Sequence, residues 1–218
     1  LSLRVLTDAV LSALFAPPCA ACTAVLDRPL DGAVCDRCWT SIVPRQERFS
    51  VESIALGQAI GPYEHTLRDL VHALKYEGRR SIAPRLAAMM ATNGAAVLSG
   101  ADYVVPVPLH PRRQRERGFN QAEDLARGLG LPLLRALRRV RATQPQVDLP
   151  AEQRQTNVKG AFELRRWPFP GNRRPVIVLV DDVVTTGATL DACARQLKKA
   201  GAAEIRALTA ARVAIGPR

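Results

Sequence analysis

Apolar positions along this chain switch repeatedly between two rhythms: short continuous or alternating runs, and stripes spaced three and four residues apart. SIALGQAIGPY (53–63) alternates as a strand does, and EHTLRDLVHALKY (64–76) sets Leu67, Leu70, Val71 and Leu74 on one helical face with Gly78 as a stop. The pattern predicts a second helix from about residue 82 to 98. ADYVVPVPL (101–109) reads as a buried strand running into a proline-stiffened loop, and Asn120-Gln-Ala-Glu123 as a capping box opening a helix that ends at Gly128 or Gly130. LPLLRALRRV (131–140) predicts a further strand, while 142–157 (ATQPQVDLPAEQRQTN) is polar and aperiodic, as working loops are. Beyond Pro175, VIVLVDD is a strand of the type covered on both faces, TLDACARQLKKAGA a helix closed by Gly201, and EIRALTAARV the next strand. Strand and helix in alternation predict an α/β fold with an open, mainly parallel sheet, whose ligands bind at the carboxyl ends of the strands. The VPVPL and DDVVTTGAT loops both fall on that edge.

The amino end differs. Leu3, Leu6, Val10 and Leu14 recur at helical spacing and Asp8 interrupts the apolar stretch, so an amphipathic helix capping the domain is expected rather than a leader. No stretch approaches the roughly 20 apolar residues of a membrane span, and a cytoplasmic protein is expected. Residues 39–49 read as a linker. The division expected is a small N-terminal module over 1–48 and an α/β domain over 49–218.

Within that module, Cys19-Ala-Ala-Cys22 is followed after twelve residues by Cys35-Asp-Arg-Cys38. Two tight turns, each offering two thiolates, complete a tetrahedral site for Zn2+, with no open position and hence a structural role. Paired disulfides are the rival, disfavoured in a reducing compartment. Cys193 shares a helix face with Leu190 and Leu197 and reads as a small core residue. His65, His72 and His110 are too scattered for a metal site or triad and read as structural or surface residues.

Lys+Arg 31 against Asp+Glu 20 gives a net charge of +11, which favours partners carrying phosphate. The basic runs lie at 112–117 and 135–141; a solvated basic face would show the same runs.

The sharpest chemistry is in VIVLVDDVVTTGATL (176–190). A helix amino terminus supplies unpaired N–H groups, and Thr185, Thr186, Gly187 and Thr189 supply hydroxyls and a close turn, which together cradle a phosphate. Asp181 and Asp182, expected at the solvent-facing mouth of the sheet, would repel a second phosphate. They call instead for hydroxyl donors or a divalent cation. A ribose 5-phosphate meets both demands. Neither GxxxxGK[ST] nor GxGxxG occurs, which removes P-loop and dinucleotide-binding alternatives.

VIVLVDDVVTTGATL resembles the phosphoribosyl pyrophosphate (PRPP) signature of type I phosphoribosyltransferases. Together with CxxC…CxxC, LKYEG, VPVPLHPRRQRERGFNQAEDLA and QVDLPAEQRQTNVKGAF in that order, the chain from Cys19 to about Arg212 is similar to the ComF competence-protein family. The resemblance implies that Asp181 and Asp182 bind the ribose 2′- and 3′-hydroxyls and that Val183, Val184, Thr185, Thr186, Gly187, Ala188 and Thr189 form the PRPP loop. It implies further that the loop after Val105 receives pyrophosphate with Mg2+, near Arg112, Arg113 and Arg117. Asp181, Asp182 and Arg117 are then the residues expected to act in catalysis, and Arg154 and Asn157 belong to a candidate lid. Two functions follow: a phosphoribosyltransferase with an unidentified base or amine acceptor, its pocket drawn from the 53–98 region, or a non-catalytic protein that senses PRPP or nucleotide or handles single-stranded DNA. The site residues do not choose between them, because PRPP binding serves either.

Overall fold

The computed structural model describes residues 3–15, 17–141, 160–165 and 174–214. In chain order these form α1 (Leu3–Phe15), a 3-10 turn (Pro29–Asp31), α2 (Asp36–Ser41), β1 (Glu47–Val51), β2 (Ile54–Ala59), α3 (His65–Tyr76), α4 (Ile82–Asn93) and α5 (Ala95–Leu98). There follow β3 (Tyr103–Pro106), α6 (Pro111–Arg117), α7 (Gln121–Arg127), β4 (Leu137–Arg139), β5 (Phe162–Leu164), β6 (Val176–Val184), α8 (Ala188–Lys199) and β7 (Glu204–Arg212). Five strands make one sheet in the order β1-β2-β7-β6-β3. All its pairs are parallel except β1 with β2. The fold is the expected open, mainly parallel α/β sheet, with the four cysteines gathered near the amino end.

β6 shows why its sequence is continuously apolar. Successive side chains point to opposite faces, and here both faces are covered: Val178 and Val180 enter a core with Leu70, Leu74, Leu86 and Leu125. Ile177 and Leu179 enter the other, with Leu190, Cys193 and Leu197 of α8. Cys193 is fully buried, and burial pushes its thiol well above the ordinary range, as suits a core residue. The first core also takes in Leu26, Val34, Cys38 and Trp39, so the cysteine segment packs its apolar side chains with α3 and α4.

Three expectations fail for identifiable reasons. The helix foreseen over 82–98 breaks into α4 and α5 at Gly94, where a Cβ would come within 2.7 Å of Leu208 on β7. The supposed linker at 39–49 starts within α2 and finishes within β1; β1 is an edge strand whose residues are only half covered, so it lacks a core strand's apolar signature. The apolar stripe of α1 does not cap a core: Leu3, Leu6, Val10 and Leu14 are 51–81% exposed. Polar contacts hold the helix instead, with the buried Asp8 accepting from the Leu30 N–H at 2.9 Å and Arg4 pairing with Asp31 at 2.8 Å. Among the described residues, no helix is long and apolar enough to cross a membrane.

Candidate functional site

The site begins where β3 stops. Its ladder with β6 covers Tyr103 to Pro106 against Ile177 to Val180, and the Val107 N–H adds a last bond to the Val180 carbonyl at 2.9 Å. β6 runs on unpaired along that edge, and its next amides turn to side chains: Asp182 N donates to Asp181 Oδ1 at 2.9 Å, and Val183 N to Asp182 Oδ1 at 2.7 Å. The chain leaving β3 is pinned by Asn120, whose Nδ2 donates to the Val107 carbonyl at 3.0 Å while its Oδ1 accepts from Ala122 N at the start of α7. That is half of the foreseen capping box. Glu123 bonds to Arg127 and Arg135 instead of reaching back to Asn120.

Between these two strand ends lies a cavity of about 210 Å3. Asp181, Asp182, Val183, Val184, Thr185, Gly187 and Thr189 line it from β6 and the start of α8, and Arg113 and Arg117 from α6. Thus most of the foreseen loop residues meet two of the three foreseen arginines. Arg112 does not line the cavity; its guanidinium is paired with Glu116 at 2.8 Å. Thr186 and Ala188 lie behind the lining, and Arg154 and Asn157 fall outside the described residues. Gly187 has φ +78 and abuts β1, where a Cβ would collide with Val51 Cγ2, so only glycine suits the turn.

The same cavity holds residues the sequence did not single out: Tyr63, Lys75, Tyr76, Gln121 and Arg139. Lys75 matters most. Its Nζ lies 2.9 Å from Asp182 Oδ1, with the two side chains 18% and 4% exposed. Asp182 is therefore a buried ion-pair partner and not a group at a solvent-facing mouth. Lys75 belongs to the LKYEG stretch, but a lysine in a helix's last turn ordinarily reads as a solvated dipole partner.

Electrostatics follow from the crowding. Burial, and then the Asp182 carboxylate, push Asp181 up to about 8 against the pull of Lys75. Burial also works against the Lys75 charge, but the attraction of Asp182 and Asp181 outweighs it and the ammonium is held above its ordinary value. Arg139 is lowered by burial and by the neighbouring Arg113 charge. Two buried oxygens, Asp182 Oδ2 and Thr186 Oγ1, have no hydrogen-bond partner. A buried carboxylate oxygen left this way is costly and suits a ligand that brings a donor.

The second cluster comprises Cys19, Cys22, Cys35 and Cys38, whose sulfurs all lie within 4.8 Å of one another. The Cys22 and Cys35 sulfurs are 3.7 Å apart, far beyond a disulfide bond and close to the separation of about 3.8 Å that a tetrahedron with ~2.3 Å zinc–sulfur bonds requires. Burial opposes charge on Cys19, but backbone amides of Cys22, Cys35 and Ala21 outweigh it and bring the thiol down to about 6. All five cysteines are free, and the four fit zinc.

The α/β part is of phosphoribosyltransferase type: residues 115–217 match the family model described as the phosphoribosyl transferase domain. The DNA utilization protein YhgH of Salmonella typhimurium is 37% identical over 182 residues, 79% of this chain and 74% of that protein. Competence protein F of Haemophilus influenzae is 36% identical over 159 residues, 67% of this chain and 68% of its own. A purine phosphoribosyltransferase from Pyrococcus horikoshii superposes on 61% of this chain and 76% of its own, at 20% identity and a TM-score of 0.36. The chain belongs to the family of these competence and DNA utilization proteins.

Proposed function

We propose that the protein binds PRPP together with Mg2+ and transfers its phosphoribosyl group to an acceptor, releasing pyrophosphate. The observation that carries this reading is the buried, unpartnered Asp182 Oδ2 on the wall of a cavity that also presents Asp181 and the threonine turn of α8. Ribose hydroxyls donate to the two carboxylates, and the 5′-phosphate rests on the first N–H groups of α8 with Thr185 and Thr189 beside it. Arg113 and Arg139 face the leaving pyrophosphate.

The donor set argues against a dedicated metal cage, since one of the two lining carboxylates is already held by Lys75. Mg2+ fits here as the partner of a diphosphate, bound chiefly through the ligand's own oxygens, and it supplies neutralisation of the departing negative charge. Asp181 and Asp182 fix the sugar and face the positive charge that develops on its ring, while Lys75 tempers the repulsion between them.

A second reading is favoured by the names of the relatives and the charge of +11: a role in DNA uptake or utilisation in which the basic surface handles nucleic acid. The test is pyrophosphate release from PRPP and Mg2+ over a panel of bases and amines. Acceptor-dependent release supports the transferase; PRPP binding without release under any acceptor leaves the sensing or DNA-handling protein.

A further inference from the structure

A second cavity, of about 420 Å3, adjoins the first and is walled by Tyr76, Arg113, Glu116, Arg117 and Phe119. Lys75, Tyr76, Arg113 and Arg117 line both, so the two share a wall. Its chemistry is different. Tyr76 is 64% exposed, a large amount for an aromatic ring beside a cavity; the His72 ring lies tilted against it with centroids 4.8 Å apart, and the Arg117 guanidinium is 5.5 Å from its centroid. Arg80 lies over Phe119 in the same way, at 5.1 Å.

The charges do not cancel. Arg117 donates to the neutral amide oxygen of Gln121 at 2.6 Å and has no carboxylate partner among the described residues. Glu116, the single carboxylate in this lining, is paired with Arg112, and Lys75 is matched by Asp182. The wall thus offers a largely exposed aromatic ring beside a guanidinium with no carboxylate partner among the described residues.

We propose that this second cavity is the acceptor subsite, and that it takes a planar, anionic nitrogen heterocycle stacked on Tyr76 with its acidic group on Arg117. The inference rests on the phosphoribosyl reading and names the acceptor class that reading leaves open. A polyphosphate would leave Tyr76 unused, and a neutral ring would cover Arg117 without answering its charge. A carboxylated heterocycle does both, because a guanidinium binds carboxylate bidentately and stacks on π faces. In the transfer, the ring nitrogen's lone pair forms the bond to C1 as the bond from C1 to the pyrophosphate oxygen breaks and its electron pair leaves with pyrophosphate. A ring N–H, where the acceptor carries one, yields its proton to solvent.

The test is calorimetry on the full, zinc-loaded chain with ribose 5-phosphate present, titrating nicotinate and orotate against the matched neutral rings nicotinamide and uracil. The acids should bind on the order of ten-fold more tightly or better, and Tyr76→Ala and Arg117→Met should each weaken them by on the order of ten-fold. Tyr76→Phe should retain binding, and in Arg117→Met the preference for acids over neutral rings should collapse toward one, a ratio that a shared loss of ribose 5-phosphate affinity does not move. Equal affinity for acids and neutral rings, or Tyr76-dependent binding confined to oligothymidylate, would overturn the proposal. Binding of ribose 5-phosphate with no binding of any ring removes this inference alone; failure of the wild-type protein to bind ribose 5-phosphate removes the phosphoribosyl reading beneath it.

Discussion

Lys75 Nζ in the last turn of α3 lies 2.9 Å from Asp182 Oδ1 near the end of β6, and the pair ties the first helix of the α/β domain to the strand that carries the site. Removing one partner of such a pair strands the other charge. Lys75→Met should therefore destabilise by about 3–5 kcal/mol, whereas Lys75→Met with Asp182→Asn should lose less than the sum of the two single variants. Denaturant unfolding of the four proteins measures it. Single-variant losses that add to within about 0.5 kcal/mol would show that the two side chains are not coupled.

Asp181 gives the protein a pH dependence of definite sign. Its carboxyl is raised from 3.8 in the free group to about 8 in the fold. The folded state thus keeps a proton that the unfolded chain has lost, so the group's contribution to stability is complete below about pH 4 and disappears as pH rises to about 8. Asp181→Asn abolishes that dependence. The melting temperature of the wild-type protein minus that of Asp181→Asn should fall steadily across this window; a constant difference would mean that Asp181 ionises normally.

Zinc should be present at about one ion per chain, held by Cys19, Cys22, Cys35 and Cys38. Because these residues share a core with α3 and α4, the loss should be felt beyond the module. Cys35→Ser, or removal of the ion by chelator, should lower the melting temperature of the whole chain. The Trp39 fluorescence should change with it, since that ring is buried beside Cys38 and lies under Arg85 at 4.9 Å. Elemental analysis that finds no metal in protein purified under reducing conditions, without chelator, would contradict this.

Nucleic-acid binding by the basic face should be electrostatic and indifferent to sequence. For a single strand, removing Arg112, Arg113 and Arg115 together should reduce the slope of log affinity against log salt by about 2, from ~0.7 per phosphate contact. A salt-insensitive, sequence-selective interaction would exclude this account of the charge.

What could be read from the sequence was what burial writes plainly. β6 is apolar on both faces because cores lie on both sides, and the turn at Gly187 keeps its glycine because Val51 stands against it. β1 escaped notice because an edge strand needs no apolar run. Lys75 escaped because its partner lies more than a hundred residues away, and no local pattern distinguishes a lysine that turns inward from one that stays in water. The stripe on α1 misled for the opposite reason: helical spacing predicts an apolar face but not that anything covers it. The Tyr76 and Arg117 stack joins the end of α3 to the end of α6, a proximity that only the fold creates.

The central claim is that Asp181 grips the ribose while the turn after β6 grips its phosphate. Asp181 is a cleaner probe than Asp182, whose loss would also release Lys75. The most direct measurement is calorimetric titration of ribose 5-phosphate and of inorganic phosphate into wild-type protein and Asp181→Asn, above the value of about 8 at which the carboxyl ionises. The account predicts a loss of about 1.5–3 kcal/mol for ribose 5-phosphate and no change for inorganic phosphate, which the backbone and threonines hold. Equal weakening of both ligands would show that Asp181 shapes the loop without binding the sugar, and would contradict the phosphoribosyl assignment.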